Sequence, residues 1–140
     1  MEFVFLPDLL FFDPADDAER QKQLVRERNE ATQREERLFC AQCHRVITHQ
    51  NERVVIQGSQ EHSCTNPYGI TFHIGCFRHA QGCAVFGTST AADTWFSGYK
   101  WRIAICGKCE THLGWEFTSA ADRFYGLIVS RLTSVGPAKN

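Results

Sequence analysis

Two short stretches, CAQC at residues 40–43 and CGKC at residues 106–109, decide the fold of this chain. In each stretch two residues separate two cysteines, so both thiolates can reach one metal ion from a tight turn. Two such turns, here called knuckles, complete a tetrahedral site with four sulfur ligands. We therefore predict one structural Zn²⁺, because four thiolates leave no open position for catalysis. Its predicted ligands are Cys40, Cys43, Cys106 and Cys109.

The distance between the knuckles indicates what the metal would do. Residues 44–105 separate them, which is too long for a small zinc finger. The metal would instead pin two distant parts of one β domain, closing a long loop and contributing directly to folding. We expect Gly107 to give the second knuckle the backbone freedom that a tight turn needs. Redox-active or coincidental thiols remain the alternative, which the second knuckle makes less favourable.

Three other cysteines and one histidine are also of interest. Cys64, Cys76 and Cys83 lie in or beside apolar runs, and we expect them to pack as small hydrophobic residues. His112 stands three residues after Cys109 and three before Trp115. It could contact a zinc-bound thiolate or simply be buried, and the sequence does not decide between the two.

Composition limits the classes of protein that the chain can represent. Its 140 residues suffice for one domain with a modest core, and a net charge of −1 argues against a nucleic-acid partner. No run reaches transmembrane length, so we expect no membrane partner. The apolar N-terminal stretch lacks the basic residues and the cleavage site of a signal peptide. We therefore predict a cytoplasmic protein, in which spaced cysteines favour metal over disulfides.

The composition changes near residue 38 and predicts three regions. Residues 1–37 form a charged N-terminal extension, with a helix that begins at Asp13–Pro14; residues 38–133 form the zinc-pinned domain; residues 134–140 form a disordered tail. The middle region is rich in β-branched and aromatic residues, which predicts a mainly β fold. The runs predicted as strands are RVVIQ (53–57), ITFHIGCF (70–77), CAVFG (83–87), KWRIAIC (100–106), LGWEF (113–117) and FYGLIVSRL (124–132), the last of which could equally be a short helix.

Aromatic residues are concentrated in the stretch DTWFSGYKW, residues 93–101. Trp95 and Trp101 flank a predicted Ser-Gly turn, so both could face one cavity. Trp115 and Phe117 are two residues apart and would share one face of a strand. From spacing alone the core is the more frequent place for such side chains.

Several motifs in a fixed order resemble one known family. CAQC, TNPYG, DTWFSGYKW, CGKCETHLGWEF and FYGLI together resemble the CULT domain, the thalidomide-binding domain of cereblon. The short, single-domain form is similar to bacterial members of that family. The resemblance covers residues 38–133 and implies a β-tent fold, with two antiparallel sheets set at an angle and pinned by the zinc.

The resemblance also implies a binding site. At the positions of Trp95, Trp101 and Trp115 the family has an open cage, whose base is closed at the position of Phe117. The cage receives a cyclic imide such as glutarimide, a thalidomide-like drug or a uracil or uridine-like ring, held largely by backbone groups. This chain departs from cereblon at Asp93 and Tyr68, where cereblon has His, and at Ser97, where it has Pro. The implied ligand-binding residues are Asn66, Pro67, Asp93, Thr94, Trp95, Trp101, Trp115 and Phe117.

Other functions are alternatives to the binding of a cyclic imide. CETHLGWEF also resembles the second zinc knuckle of B-type methionine sulfoxide reductases, but those enzymes use a cysteine nearer the C-terminus, and Cys109 is the last one here. No Ser/His/Asp arrangement indicates a hydrolase, so we expect no enzyme. A zinc-stabilised protein-interaction module remains an alternative, and a protein ending in a cyclic imide is a further candidate partner. The part of cereblon that engages a ubiquitin ligase adaptor has no counterpart, so we expect no such partner.

Overall fold

A computed structural model describes residues 14–138, and its first element is a long helix. Helix α1 spans Pro14–Glu35 and carries Asp16 and Asp17 in its first turn, where negative charge complements the helix dipole. Its two sizeable apolar side chains, Leu24 and Val25, are exposed. The helix belongs to a compact unit that ends at Glu35, and the rest of the chain forms a second unit. The predicted start at Asp13 and the apolar stretch before it lie outside the described residues.

The second unit, here called the β unit, contains nine strands in two antiparallel sheets within residues 36–138. A three-stranded sheet has the order β2-β1-β9, and a six-stranded sheet has the order β3-β4-β8-β7-β6-β5. The predicted mainly β class with two antiparallel sheets is therefore confirmed. The strands are β1 (Arg37–Cys40), β2 (Val46–His49), β3 (Glu61–Thr65), β4 (Thr71–Phe77), β5 (Cys83–Thr90), β6 (Lys100–Cys106), β7 (His112–Thr118), β8 (Arg123–Ile128) and β9 (Leu132–Thr133).

Two of the predicted strands differ from the observed ones. Residues 53–57 form isolated bridges at Arg53 and Ile56 and no strand, because Gln57 has a left-handed φ of 48° that turns the chain. The last predicted strand, residues 124–132, is two strands in the structure. β8 ends at Ile128, and a short 3-10 turn, Val129–Arg131, leads into β9. The short strands β1, β2 and β3 were not predicted.

A bulge in β7 determines which side chains share a face of the large sheet. Ala104 of β6 pairs with Gly114, whereas the next residue, Ile105, pairs with His112, so Leu113 is the extra residue. Leu113 is fully buried with Cys40 and Cys106 in one core cluster. The second cluster lies under the aromatic stretch and contains Ile56, Ile74, Cys76, Phe96, Trp115, Phe117, Phe124 and Ile128.

The end of the described chain has no helix or strand after β9. His44 Nδ1 lies 3.0 Å from the carbonyl oxygen of Val135, which ties residue 135 to the first knuckle. The predicted disordered tail includes residues 139–140, which lie outside the described part. Among residues 14–138, no helix combines the length and the apolar character needed to cross a membrane.

Candidate functional site

The four cysteines of the two knuckles converge on one point. Their sulfur atoms all lie within 4.8 Å of one another. The Sγ atoms of Cys40 and Cys109 are 3.7 Å apart, and those of Cys43 and Cys106 are 3.5 Å apart. Sulfurs bound tetrahedrally to one ion at about 2.3 Å would be about 3.8 Å from each other, so the donor set fits a single tetrahedral metal ion.

The two knuckles have the same backbone geometry. Cys40 N donates to the carbonyl of Arg45 at 2.8 Å, and His44 N donates back to Cys40 O at 2.8 Å. In the second knuckle Cys106 N donates to Thr111 O at 2.8 Å, and Glu110 N donates to Cys106 O at 3.0 Å. Each knuckle is therefore a closed loop that fixes the direction of both of its thiols.

The expected role of Gly107 was wrong. The left-handed residues of the knuckles are His44, with a φ of 63°, and Glu110, with a φ of 64°, each directly after the second cysteine. Gly107 instead allows close approach to a neighbouring loop. Its N–H donates to Gly82 O at 2.9 Å, and a Cβ at position 107 would lie 3.1 Å from that oxygen.

Without a metal, the thiols of the cluster differ in acidity. The hydroxyl of Thr111, 3.0 Å from Cys109 Sγ, lowers the pKa of that exposed thiol to about 6. Burial raises the pKa of Cys40 to about 11. The cluster thus combines one thiol that ionises readily with one that requires a cation to do so.

A second feature of the β unit is an aromatic cavity of about 440 Å³. Five elements contribute to it: the turn after β3, strand β4, the loop before β6, and strands β6 and β7. All three tryptophans of the chain line it. The lining residues are Asn66, Pro67, Tyr68, Phe72, Asp93, Trp95, Trp101, Ile103, His112, Trp115 and Phe117.

Strand register builds one side of this cavity. Trp101 pairs with Phe117 across β6 and β7, and Ile103 pairs with Trp115. Paired residues in antiparallel strands project to the same side, and positions two apart in one strand share a face. The four side chains consequently form one apolar patch, as the alternation in β6 and in β7 predicted.

Two hydrogen bonds orient the indole rings of Trp95 and Trp101 at the cavity. Trp95 Nε1 donates to Thr65 O at 3.0 Å, and Trp101 Nε1 donates to Ala92 O at 2.7 Å. Both indole N–H groups are therefore satisfied by backbone carbonyls. What these two side chains offer to the cavity is mainly their flat, apolar ring surface.

Trp115 lies at the centre of the ring contacts. Its ring centroid is 4.7 Å from that of Trp95, 5.2 Å from that of Phe72 and 4.9 Å from that of His112, all edge to face. The ring of Phe117 stacks on the ring of Phe124, with centroids 5.0 Å apart. Trp115 and Phe117 are both buried, so they belong to the core and to the cavity lining at once.

The residues that the sequence singled out as ligand-binding are mostly close together. Seven of them line the cavity, and Thr94 does not. Thr94 supports the loop instead, because its hydroxyl lies 3.3 Å from Phe96 O. The Oδ1 atom of Asn66 accepts hydrogen bonds from the N–H groups of Tyr68 and Ile70, which fixes the predicted turn at the rim.

His112 was noticed in the sequence but not assigned to the cavity. It stands three positions before Trp115, which in a regular strand would place the two on opposite faces. The bulge at Leu113 brings both to the same face. Burial lowers the pKa of His112, which favours the neutral ring, and its Nε2–H donates to Gly114 O at 2.9 Å.

Gly126 was missed, although it shapes the space beside the cavity. It pairs with Trp115, and a Cβ there would lie 2.9 Å from the ring of Phe117 and from Ile74. Only a glycine leaves room for these side chains as they stand. The sequence places this residue in an ordinary strand, and its packing depends on a register that spacing does not reveal.

Two further groups of reactive side chains lie outside the cavity lining. Cys64, Cys76 and Cys83 pack with the two core clusters, as expected. On the exposed face of β3 and β4, His73 lies 3.1 Å from Ser63 Oγ and 2.5 Å from a carboxylate oxygen of Glu61. Such a trio has the residue types of a hydrolase, but none of the described cavities contains all three side chains.

Known proteins resemble this chain over most of the β unit. No family model matches it. Protein cereblon of Danio rerio is 32% identical over an alignment of 108 residues, and the match covers 71% of this chain and 25% of the relative. Protein cereblon of Gallus gallus is 32% identical over 103 residues, 68% of this chain and 23% of the relative. The cereblon of Drosophila pseudoobscura pseudoobscura is 32% identical over 106 residues, and the match covers 67% of this chain and 17% of the relative.

The fold, the cysteine cluster and these relatives define a class of protein. The β unit is a mainly β domain with two antiparallel sheets and a site for one metal ion. It is a cereblon-like domain, consistent with the CULT domain that the motifs predicted. The chain spans about a quarter of the length of the Danio rerio relative. The bacterial origin stays a prediction.

Proposed function

We propose that the aromatic cavity binds a small, neutral cyclic imide, such as glutarimide, a thalidomide-like drug or a uracil-like ring. The observation that carries this proposal is the convergence of Trp95, Trp101 and Trp115 over Phe117 in one cavity of about 440 Å³. Flat apolar faces suit a flat ring, and a cavity of this size accommodates a ring of about eight heavy atoms with room for a substituent.

The chemistry of an imide matches the polar groups at the rim. The ring has an apolar surface, whereas its N–H and two carbonyls lie along one edge and need partners when water is displaced. The resemblance to the CULT domain implies that these partners are backbone groups near Asp93 and Trp95. Backbone partners are compatible with the departures at Asp93 and Tyr68, because recognition of the imide edge itself would not depend on those side chains.

The expected affinity is modest. A ligand of about eight heavy atoms, at roughly 0.7 kcal/mol per atom, gains about 6 kcal/mol, which corresponds to a Kd of tens of micromolar. Substituents that project out of the cavity would add little, because the walls contact only the ring.

We further propose that the metal of the cysteine cluster is zinc and that its role is structural. Four thiolates in a tetrahedral arrangement are typical of structural zinc. The sulfur spacings of 3.5 Å and 3.7 Å support this assignment. The ion would join β1 to the turn between β6 and β7, and it would thereby fix where the strand that carries Trp115 begins.

We propose binding without catalysis, in the cytoplasm. A sulfoxide reductase of the B type needs a nucleophilic cysteine at its site, and no cysteine is among the residues that line the cavity in the described part of the chain. A protein whose chain end carries a cyclic imide is a second form of the same ligand. A partner in a ubiquitin ligase is not proposed, because the chain matches only a quarter of the relative.

A tryptophan-fluorescence titration tests this function. Glutarimide, uracil and a peptide ending in a cyclic imide are added separately to the full chain. Since all the tryptophans line the cavity, we expect saturable quenching by at least one of the three. No response to any of them, in protein that retains its metal, would reject the proposal and favour a protein-interaction module.

A further inference from the structure

One charged side chain stands at the aromatic cavity. Asp93 is the only charged residue among those that line it in the described chain, and it is exposed at the rim. No hydrogen bond or ion pair of its carboxylate occurs among residues 14–138. An acidic group without a cationic partner, next to three indole rings, creates a negative potential at the mouth of the cavity.

Apart from the exposed Tyr68 hydroxyl, the other polar side chains of the cavity have hydrogen-bond partners. The indole N–H groups of Trp95 and Trp101 and the Nε2–H of His112 donate to backbone carbonyls. The side-chain oxygen of Asn66 accepts two backbone N–H groups. The carboxylate of Asp93 is thus the strong acceptor that remains available to a ligand.

The backbone holds Asp93 in a defined place. Its φ of 55° lies in the left-handed region, which Asp tolerates better than most residues. Ala92 N donates to Thr90 Oγ1 at 3.1 Å, and Ala92 O accepts the indole N–H of Trp101 at 2.7 Å. The residue before Asp93 is therefore tied to a wall of the cavity that Asp93 also lines.

Resting on the binding function proposed above, we propose that Asp93 selects cyclic imides that carry a protonated amine on the ring. An ammonium group beside the imide ring would meet the carboxylate and the faces of the indole rings, which attract cations. The favoured ligand class is then a small, free amino-imide such as a cyclised amino-acid amide. An acylated ring, as at the end of a peptide, is neutral at that nitrogen and gains nothing from Asp93.

Calorimetry with matched ligands tests this selection. The ligands are glutarimide (piperidine-2,6-dione) and its 3-methyl and 3-amino derivatives. The titrations are run at about pH 6, where an α-amino group is protonated. Methyl and ammonium groups have nearly the same size, so the ratio of their Kd values reports the charge. We expect the amino compound to bind about fivefold tighter than the methyl compound at low salt, the upper end for an exposed ion pair. The preference should decrease in 0.5 M salt.

Two variants show whether Asp93 causes the preference. In Asp93→Asn, which keeps the size of the side chain, we expect the ratio to fall to within about twofold of one. Glu61→Gln removes one negative charge from the same unit without touching the cavity lining, and it should keep the full ratio. Because each ratio is taken within one variant, a general change in the cavity cancels.

The outcomes separate this inference from the proposed function. If the unsubstituted and methyl rings bind but the amino ring binds no better, the charge selection is wrong and imide binding stands. If the preference persists in Asp93→Asn, the selection does not come from this carboxylate. If none of the three rings binds to metal-containing protein, the proposed function fails and the inference fails with it.

Discussion

The cysteine cluster and the aromatic cavity are built in opposite ways. The cluster gathers four polar atoms at one point, with sulfurs as close as 3.5 Å, an arrangement that a cation would stabilise. In the cavity, the hydrogen-bonding groups of Trp95, Trp101 and His112 point to backbone carbonyls, so apolar ring surface remains. The cysteine cluster is therefore suited to stabilise the fold, and the aromatic cavity is suited to bind a neutral ring.

The two regions also differ in how they depend on the rest of the chain. Each knuckle is closed by its own backbone hydrogen bonds within six residues, from Cys40 to Arg45 and from Cys106 to Thr111. The cavity needs five elements to come together, and its central ring, Trp115, contacts rings from β4, from the loop before β6 and from its own strand. A change in the cluster should therefore affect the whole unit, whereas a change in the cavity wall should affect binding.

The largest expected effect is the loss of a metal ligand. Cys106 is fully buried in the core cluster, and metal binding to such a site is part of the folding free energy. We expect Cys106→Ser to lose the metal and to unfold the β unit, measured by elemental analysis and thermal unfolding. The wild type should contain about one zinc per chain. Cys64→Ser, which lies outside the cluster, should keep the metal; a folded, metal-free Cys106→Ser would contradict the account.

Removing a wall of the cavity should have a smaller and more specific effect. Trp101→Ala removes one ring face, and we expect it to weaken imide binding by about 1–3 kcal/mol while the metal stays bound. Calorimetry gives the change in Kd. Phe86→Ala is the matched control, since this aromatic residue is 54% exposed and does not line the cavity. Equal losses of imide affinity in the two variants would show that the effect does not come from removing a cavity wall.

An ion pair outside the cysteine cluster and the cavity lining should contribute less to stability. The Tyr99 hydroxyl, 2.6 Å from an Asp122 oxygen, and the nearby Arg78 guanidinium lower the pKa of the Asp122 carboxyl. A lowered pKa stabilises the folded state above the ordinary value of 3.8, and this contribution is lost as the pH falls below it. We expect Asp122→Asn to cost at most about 1 kcal/mol at neutral pH, because the pair is partly exposed.

Urea unfolding across a pH series measures this contribution. The difference between wild type and Asp122→Asn should be constant above about pH 5 and should disappear in acid, since the pKa of an unfolded aspartate is about 3.9. A difference that grows as the pH falls would have the wrong sign and would contradict this assignment.

The smallest expected effect is that of the N-terminal helix. Deleting residues 1–34 should leave metal content and imide affinity unchanged, because Leu24 and Val25 of α1 are exposed and the helix offers little apolar surface to bury. Elemental analysis and calorimetry on the shortened chain check this. Loss of binding in a soluble, metal-containing variant would mean that the extension completes the site.

The sequence predicted the parts of the molecule that local patterns specify. The spacing of Cys40 and Cys43, repeated at Cys106 and Cys109, placed the cluster. Alternation placed Trp115 and Phe117 on one face, because successive side chains of a strand point to opposite sides. The turn around Gly98, whose φ is 87°, was also predicted.

Features that depend on long-range pairing were not predicted. His112 reaches the cavity through a bulge, which spacing cannot show, and Gly126 is required by contacts with Phe117 across the sheet. The failed strand at residues 53–57 has a suitable composition, but the left-handed backbone of Gln57 ends it. In each case tertiary contacts decided what the local pattern left open.

Calorimetry with glutarimide and N-methylglutarimide tests the central claim most directly. The account predicts a Kd of tens of micromolar for glutarimide. Methylation of the ring nitrogen deletes the imide donor and adds bulk at the edge that must face the protein, so the N-methyl compound should bind at least tenfold more weakly. Equal affinities would contradict the account, because the aromatic residues would then form an apolar surface that does not recognise the imide group.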